Sequence, residues 1–556
     1  MNKKYSIGLD FGTLSGRAVI VDCDNGDEIS ACSFDYPHGV IDECLPDGKT
    51  YLPPDFALQH PSDYIDTLKY IIPNILKSSN ISPDNVIGVG IDFTACTLIP
   101  VYSDGTPLCY KPEYYSNPHA YVKLWKHHAA QPYAELFNKI ALERKEKWIA
   151  GYGGKISSEW LFPKILEIIN NAPEIYNDAD YFIEAGDWLV WQLCGKQTRN
   201  SCCAGYKGFW NKRNGYPDNE YLKSVDKRLD NVVKLKLDCP VSSVGTKAGV
   251  ITPEAAKLTG LRAGTAVSLS NIDAHATFPS LGISEPGKML MIMGTSSCQM
   301  MISKTEIIFP GICGVVEDGI IPGYYGYEAG QCCVGDHFNW FVNNLVPESY
   351  KTEAAINNKN IYKYLNEKAE NLKAGESGVI ALDWWNGNRS VLVDFNLTGL
   401  FIGMTLQTKP EALYRALIEA TAYGAKKIID TFGEYGINSD ELYAAGGIAE
   451  KDPFTMQIYA DILGLDIKIS GSPQAAALGS AIFGAVAAGV ENGGYSNITE
   501  ASLKMGKVKD VTYKPDAKNH KIYNELYKEY LLLHDYFGKG GNDVMKRLKA
   551  IKKSVI

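Results

Sequence analysis

The sequence predicts an α/β protein built as two related domains around a shared cleft. Strand-like apolar runs alternate with amphipathic helical patterns, and an apolar hairpin with a Gly/Thr/Ser tip occurs twice, near residues 12 and 295. The chain has 556 residues, room for two or more full-sized domains at about 100–200 residues each. A composition of 45% hydrophobic and 21% charged residues is that of a folded globular chain, not of a disordered, collagen-like or coiled-coil one.

In chain order, residues 5–9 and 17–21 read as two strands joined by the polar turn Asp10-Phe11-Gly12-Thr13. Residues 62–76 read as an amphipathic helix, 86–93 as a buried strand, and 179–193 as a strand running into a helix. Residues 269–278 read as a strand that ends at Asp273, just before a helix. KMLMIM, Gly294-Thr295-Ser296-Ser297 and CQMMI then repeat the strand–turn–strand pattern. Half a chain separates the two hairpins, far beyond the roughly 20–50-residue period of a solenoid, so a boundary is expected near Ser284-Glu285-Pro286-Gly287, dividing domains 1–284 and 285–556. In the second domain, 411–432 reads as a long helix, 442–445 as a strand, 453–463 as a helix, and the Gly/Ala-rich 475–489 as a helix suited to close backbone packing. Residues 504–556, rich in Lys and Tyr, read as a solvated helical tail against that domain. The aromatic segment 36–61 is long for a connection and suggests a lid or a subunit contact.

Charge and cysteine usage exclude several functions. Lys and Arg total 55 against 64 Asp and Glu, a net of −9, so no global positive field attracts nucleic acid or an anionic membrane. The apolar run 475–490 is shorter than the roughly 20 residues of a membrane span and is broken by glycines. The first residues, MNKKYSIGLDFG, lack the apolar core of a secretory signal. Thirteen cysteines without CxxC spacing argue against a zinc ribbon or redox motif and for reduced thiols in a cytoplasmic protein.

Four motifs carry chemistry. In GLDFGTLSGR, Gly12 opens a tight turn whose backbone N–H groups suit phosphate oxygens. Thr13 and Ser15 add hydroxyls, Arg17 adds charge, and Asp10 is placed to orient the water shell of a magnesium ion. The same string is compatible with an ordinary hairpin turn, but its echo at Gly294, Thr295, Ser296 and Ser297 predicts a polyphosphate held from two sides. Gly446, Gly447 and Ala449, between a strand and a helix, suit the close approach of a purine or ribose; a tight turn explains the glycines equally well. Asp273 at a strand end is where a general base for a substrate hydroxyl would sit, and also where a helix N-cap would sit. His275 has no partner at metal spacing and reads as a structural hydrogen-bonder.

Taken together, the two turns, the Asp273 segment and the late Gly-Gly resemble the FGGY carbohydrate kinases. GIDFTACTLIPV (90–101), KLWKHHAAQ (123–131), GGKISSEWLFPKIL (153–166), AGYKGFW (204–210), NIDAHA (271–276), GTSSC (294–298), GICGVVEDGIIPGYYGYEAGQ (311–331) and AAGGIAEKDPFTMQIYADILG (444–464) are similar, in the same order, to segments of the ribulose-phosphorylating members. The resemblance implies two actin/ribonuclease-H-like domains flanking a deep ATP and sugar cleft. It implies transfer of the ATP γ-phosphoryl group, with Mg²⁺, to the 5-hydroxyl of L-ribulose, and of D-ribulose as a further candidate, in arabinose breakdown. Asp273 matches the family's base, and the sugar site falls on Ala95, Trp125, Lys207, Asp273 and Glu328. By the same resemblance, Asp10 acts through magnesium, and Gly446, Gly447 and Ala449 face adenosine. Tyr206, Trp210, Tyr325 and Tyr327 read as packing, and a homodimer follows only from family habit. The alternatives are a kinase of the same family for xylulose or another polyol, and a non-catalytic ATP-binding switch. One departure is Leu14, where many members carry a small polar residue; backbone N–H groups can replace the missing hydroxyl.

Overall fold

The computed structural model describes residues 3–555 and is organised by two sheets of like topology. The first sheet holds β1 (Tyr5–Phe11), β2 (Ser15–Asp22), β3 (Glu28–Asp35), β4 (Val86–Phe93), β5 (Lys247–Val250), β6 (Ala266–Ser268) and β7 (Asn271–Ile272). Its order is β5-β6-β4-β1-β2-β3, with β7 also pairing β4. The central strand β1 is antiparallel to β2 and parallel to β4. The second sheet holds β8 (Lys288–Met293), β9 (Ser297–Ser303), β10 (Gly314–Glu317), β11 (Tyr325–Gln331), β12 (Glu441–Ala445), β13 (Ile467–Ser470) and β14 (Val508–Tyr513), in the order β10-β11-β9-β8-β12-β13-β14. There β8 is antiparallel to β9 and parallel to β12, the same relation as β1 to β2 and β4. The repeated hairpins of the sequence are thus the same element in two sheets.

Helices cover the sheets where their apolar stripes dictate. The helix α1 (Pro61–Ser79) starts at His60, whose ring accepts from the Ser62 N–H, has Pro61 in its first turn, and stops at Asn80 in the left-handed region. It buries Tyr64, Leu68, Ile71, Ile72 and Ile75 in the core of the first sheet. A small sheet formed by Leu58–Gln59, Val122–Lys123, Leu98–Val101 and Tyr181–Glu184 extends this half. The helix α2 (Leu161–Asn171) packs in the adjoining core, and α3 (Ser201–Gly208) and α4 (Asp273–Ser280) follow. In the second half, α5 (Pro410–Glu434) and α6 (Pro453–Leu463) enclose the core, as their periodicity predicts.

The Gly/Ala-rich segment forms α7 (Ala475–Ala488), and its packing is the closest in the molecule. It lies on β1, β4 and α4. A Cβ added at Gly8 would sit 1.7 Å from the Ala477 carbonyl oxygen, one at Gly90 1.9 Å from that of Ser480, and one at Gly88 2.0 Å from that of Gly484. Ser6 Oγ donates to the Ala481 carbonyl at 2.7 Å. The expected boundary at 284/285 separates the strands of the two sheets, yet α7, encoded late in the second half, belongs to the packing of the first. A shared cluster that includes Tyr206, Ile272, Phe278, Leu290, Met300, Val316 and Phe483 joins the halves.

The expectation of a solvated tail needs correcting. Residues Val508–Tyr513 add the edge strand β14, and α8 (Ala517–Gly538) buries Tyr523, Tyr527 and Tyr530. Those rings pack with Tyr423 at centroid distances of 6.4, 5.9 and 5.3 Å. Their hydroxyls donate to Glu419, Asp430 and Asp383, which makes burial of three tyrosines affordable to the core. All thirteen cysteines are free, and no helix among the described residues is long and apolar enough to cross a membrane.

The backbone contacts of α7 predict that Gly8→Ala or Gly90→Ala lowers stability by about 3 kcal/mol or more, because the clash is with a carbonyl rather than a movable side chain. Gly151→Ala, where an added Cβ meets nothing within 4 Å, is the control, and the midpoint of denaturant unfolding is the measurement.

Candidate active site

Parallel strands of the first sheet end in carboxylates at one place. Asp10 on β1 and Asp92 on β4 are register partners, Asn271 on β7 pairs with the same Asp92, and Asp273 follows two residues later at the start of α4. This is the carboxyl edge of the sheet, where open α/β folds bind ligands. Asp92 is fully buried; its Oδ2 accepts from Ser480 Oγ on α7 at 2.6 Å, while its Oδ1 has no partner. Burial and the neighbouring Asp10 hold Asp92 well above the usual carboxylate range. Asp273 is half-buried, and burial followed by the charge of Asp10 pushes it up to about 7. Asp10 is raised by burial and drawn back by Arg17, whose guanidinium lies 3.7 Å away. Asp10, beside the first turn, and the unpartnered oxygen of Asp92 are hard donors of the kind that suit the water shell of a magnesium ion.

The first turn continues from β1 just beyond Asp10, and the second joins β8 to β9. In the first, the Gly12 N–H closes on the Ser15 carbonyl at 3.0 Å, and the Thr13 carbonyl accepts from Gln59 Nε2 at 2.7 Å. Trp125 Nε1 donates to Thr13 Oγ1 at 3.1 Å. Gln59 belongs to segment 36–61, so part of that segment buttresses the turn. Leu14 is 61% exposed at its tip, Ser15 is half-buried, and Arg17 is exposed. In the second turn, the Gly294 N–H reaches the Ser296 carbonyl at 2.9 Å, and Gly294, Thr295 and Ser296 are exposed. Ser297 is not: it is buried on β9 with its Oγ accepting from Gln299.

Gly446 ends β12 with φ +95°, and a Cβ there would lie 2.5 Å from the Met293 carbonyl, which is why glycine is required. Beside it a cavity of about 610 Å³ is lined by Gly447, Ile448, Lys451, Phe338, Tyr414 and Phe454 among others. Its size and aromatic walls suit a nucleoside. Ala449 turns into the hydrophobic core, contrary to expectation, because the short helix Gly447–Lys451 presents Ile448 and Lys451 to the cavity instead.

Lys207 and Glu328 are close enough to Asp273 for their charges to act on it. Lys207 on α3 and Glu328 on β11 are both buried, with Nζ 3.2 Å from Oε2. Burial alone would raise Glu328, but Lys207, then Arg389 and His275, hold it at about 2. Against the expectation, His275 makes no hydrogen bond. It is buried against Tyr206, 3.4 Å from Glu328, and burial lowers it to about 4, so the ring is neutral.

Ala95 and Trp125 lie on two loops fastened to one buried ammonium. Lys164 Nζ on α2 donates to the carbonyls of Cys96 at 2.5 Å and Leu124 at 2.8 Å. Glu184 accepts the Thr97 N–H at 2.8 Å and completes the hold on the first loop. Behind Trp125, the buried Glu167 carboxylate is bound by Lys123 at 3.1 Å and His127 at 2.9 Å. Sequence reasoning missed Asp92, Lys164, Glu184 and Arg389. Asp92 had a signal, a charge inside the apolar run VIGVGIDF; Arg389, in the loop NGNRS, had none.

One further trio, His38, His60 and Asp63, is close enough for a single ion. His38 Nδ1 is bound to Asp63 at 2.6 Å, His60 Nδ1 to Ser62 Oγ at 2.6 Å, and the rings stack at 4.5 Å. Both Nδ1 atoms are thus engaged by hydrogen bonds within the trio's own surroundings.

The chain was compared with known proteins. Residues 5–278 match the N-terminal domain and residues 289–488 the C-terminal domain of the FGGY family of carbohydrate kinases. A ribulokinase of Bacillus licheniformis is 58% identical over 539 residues, covering 97% of this chain and 98% of the relative. A ribulokinase of Geobacillus thermodenitrificans is 55% identical over 554 residues, covering 100% of this chain and 98% of the relative. Among solved structures, a ligand-bound xylulose kinase from Lactobacillus acidophilus aligns with TM-score 0.79 at 19% identity, covering 97% of this chain and 99% of the other. A xylulose kinase from Rhodospirillum rubrum aligns with TM-score 0.78 at 20% identity, covering 96% and 98%. The solved structures share the fold, and the sequence matches run through both halves: the chain belongs to the FGGY family of carbohydrate kinases.

Proposed function

We propose that the chain transfers the γ-phosphoryl group of ATP to the 5-hydroxyl of ribulose. The observation that carries the chemistry is Asp273, a carboxylate at the end of the first sheet raised to about 7, with Asp10 and the Lys207–Glu328 pair as its charged neighbours. A base of that strength is matched to taking a hydroxyl proton near neutral pH. The choice of ribulose rests on relatives named ribulokinase that are 58% and 55% identical along nearly the whole chain.

In this reading the sugar lies between Trp125, which covers its carbons, and Lys207 and Glu328, which hydrogen-bond its carbonyl and hydroxyls. The 5-hydroxyl oxygen bonds to the γ-phosphorus as the bond from that phosphorus to the ADP oxygen breaks, and Asp273 takes the hydroxyl proton. The transfer is largely dissociative, so alignment and charge neutralisation dominate. The turns at 12–15 and 294–296 hold the phosphates, Arg17 adds charge, and the cavity beside Gly447 takes the nucleoside. A magnesium ion held through water by Asp10 would supply neutralisation of the phosphate charge. Thirteen free thiols support a reducing, cytoplasmic setting.

The test is ADP release with Mg-ATP against L-ribulose, D-ribulose, D-xylulose, L-xylulose, ribitol and glycerol, with Asp273→Asn as control. Stimulation by a ribulose, lost in the variant by about 10²-fold or more, is expected. Preference for xylulose or glycerol would keep the fold and overturn the sugar assignment; no stimulation by any sugar would overturn the kinase reading. Because Asp273 must be ionised to accept a proton, the sugar-dependent rate should fall as pH drops through about 7; a flat profile there would remove it as the base. Trp125→Phe keeps an aromatic face but loses the hydrogen bond to Thr13, so the KM for ATP should rise by about 3–10-fold, from a bond worth about 1 kcal/mol, while the KM for sugar changes less.

A further inference from the structure

Glu328 is the most crowded charge in the cleft. Its carboxylate is 3% exposed and meets Lys207 from α3 of the first half, His275 from α4, and Arg389 from the loop that follows Trp384. The Lys207–Glu328 pair crosses between the halves of the molecule, whereas Arg389 and Glu328 both belong to the second half. With His275 neutral, two cations serve one carboxylate.

Arg389 is fastened to the strand that carries Glu328. Its guanidinium donates to Glu328 Oε1 and lies over Gly330, where an added Cβ would come 3.4 Å from Nη1. The next residue, Ser390, accepts the Gly330 N–H on its Oγ at 3.1 Å. Unlike Lys207, which is 8% exposed, Arg389 is 32% exposed, so it stands at the open side of the pair with N–H groups to spare.

This arrangement answers a specific problem. A ketose that hydrogen-bonds Lys207 competes for the donors that now hold Glu328, and a buried carboxylate deprived of its counter-charge costs several kcal/mol. A second cation anchored to the same strand removes that cost, since it moves with Glu328. We propose that Arg389 is a positioning residue of the sugar pocket, keeping Glu328 paired and aimed across the cleft while the sugar engages Lys207. The inference rests on the sugar-pocket reading given above.

The experiment is steady-state kinetics of the full chain with Mg-ATP and the ribulose it turns over, on Arg389→Gln, Arg389→Lys and Glu328→Gln. Arg389→Gln should raise the KM for sugar by about 10-fold or more with the KM for ATP within about twofold, and Arg389→Lys should recover part of the loss, since it restores charge without the planar fork. Loss of structure alone would not separate sugar from ATP in this way. If Arg389→Gln leaves the KM for sugar within about twofold while Glu328→Gln raises it, the role of Arg389 is overturned. If neither variant changes the KM for sugar while Asp273→Asn abolishes turnover, the sugar-pocket reading falls instead. Should Arg389→Gln fail to fold by circular dichroism, Arg389→Lys decides: a rise in sugar KM of about threefold or more at unchanged ATP KM is expected, and an unchanged sugar KM overturns the proposal.

Discussion

The contact between α7 and the glycine face of β1 and β4 sets the geometry on which the cleft depends. Gly8, Gly88 and Gly90 let a helix backbone lie directly on two strand backbones, and Ser6 and Ser480 pin it there through Ala481 and Asp92. With the helix so close, the ends of β1, β4 and β7 are fixed relative to one another, and with them Asp10, Asp92 and Asp273. Any side chain on that face would push α7 outward and α4 with it, since a Cβ at Gly479 would meet the Ala276 carbonyl at 1.7 Å. Close packing of this kind tolerates little adjustment.

Electrostatics then divides the cleft into two regimes. At the strand ends, like charges crowd and carboxyls are held high, a frustration that a divalent cation would relieve. A short distance away, Glu328 has more positive charge than it needs and is held low. Asp273 feels both, raised by burial and Asp10 and lowered by Lys207. A group with this balance of neighbours is basic enough to accept a proton and still ionised for much of the time near neutral pH.

The elements and the duplicated hairpins were legible because strand alternation, helix periodicity and turn residues are local signals. The helix read at 453–463 is Pro453–Leu463, and that read at 62–76 is Pro61–Ser79. Asp10, Thr13, Lys207, Asp273 and Glu328 were singled out through motifs and the family resemblance, and the structure pairs Lys207 with Glu328 and sets Asp10 beside Asp92. What escaped was non-local. The seat of α7 depends on glycines about 390 to 470 residues away, and the burial of Tyr523, Tyr527 and Tyr530 depends on acceptors from α5 and Asp383. Ala449 is buried in the core for another reason: adjacent residues in a helix face different ways, and a motif does not say which of them faces the cavity.

The late position of α7 also governs how the molecule can be made. Synthesis proceeds from the N-terminus, so β1 and β4 leave the ribosome nearly four hundred residues before the helix that covers them. Until then the bare glycine rungs and the apolar side chains around them, Val19, Val21 and Ile87, have no partner. The first half therefore cannot mature as an independent folding unit; its sheet is sealed only when the second half has been translated. Completion of the nascent chain and completion of the catalytic cleft become the same event, and truncated products are left with an unfinished surface that chaperones and proteases can recognise.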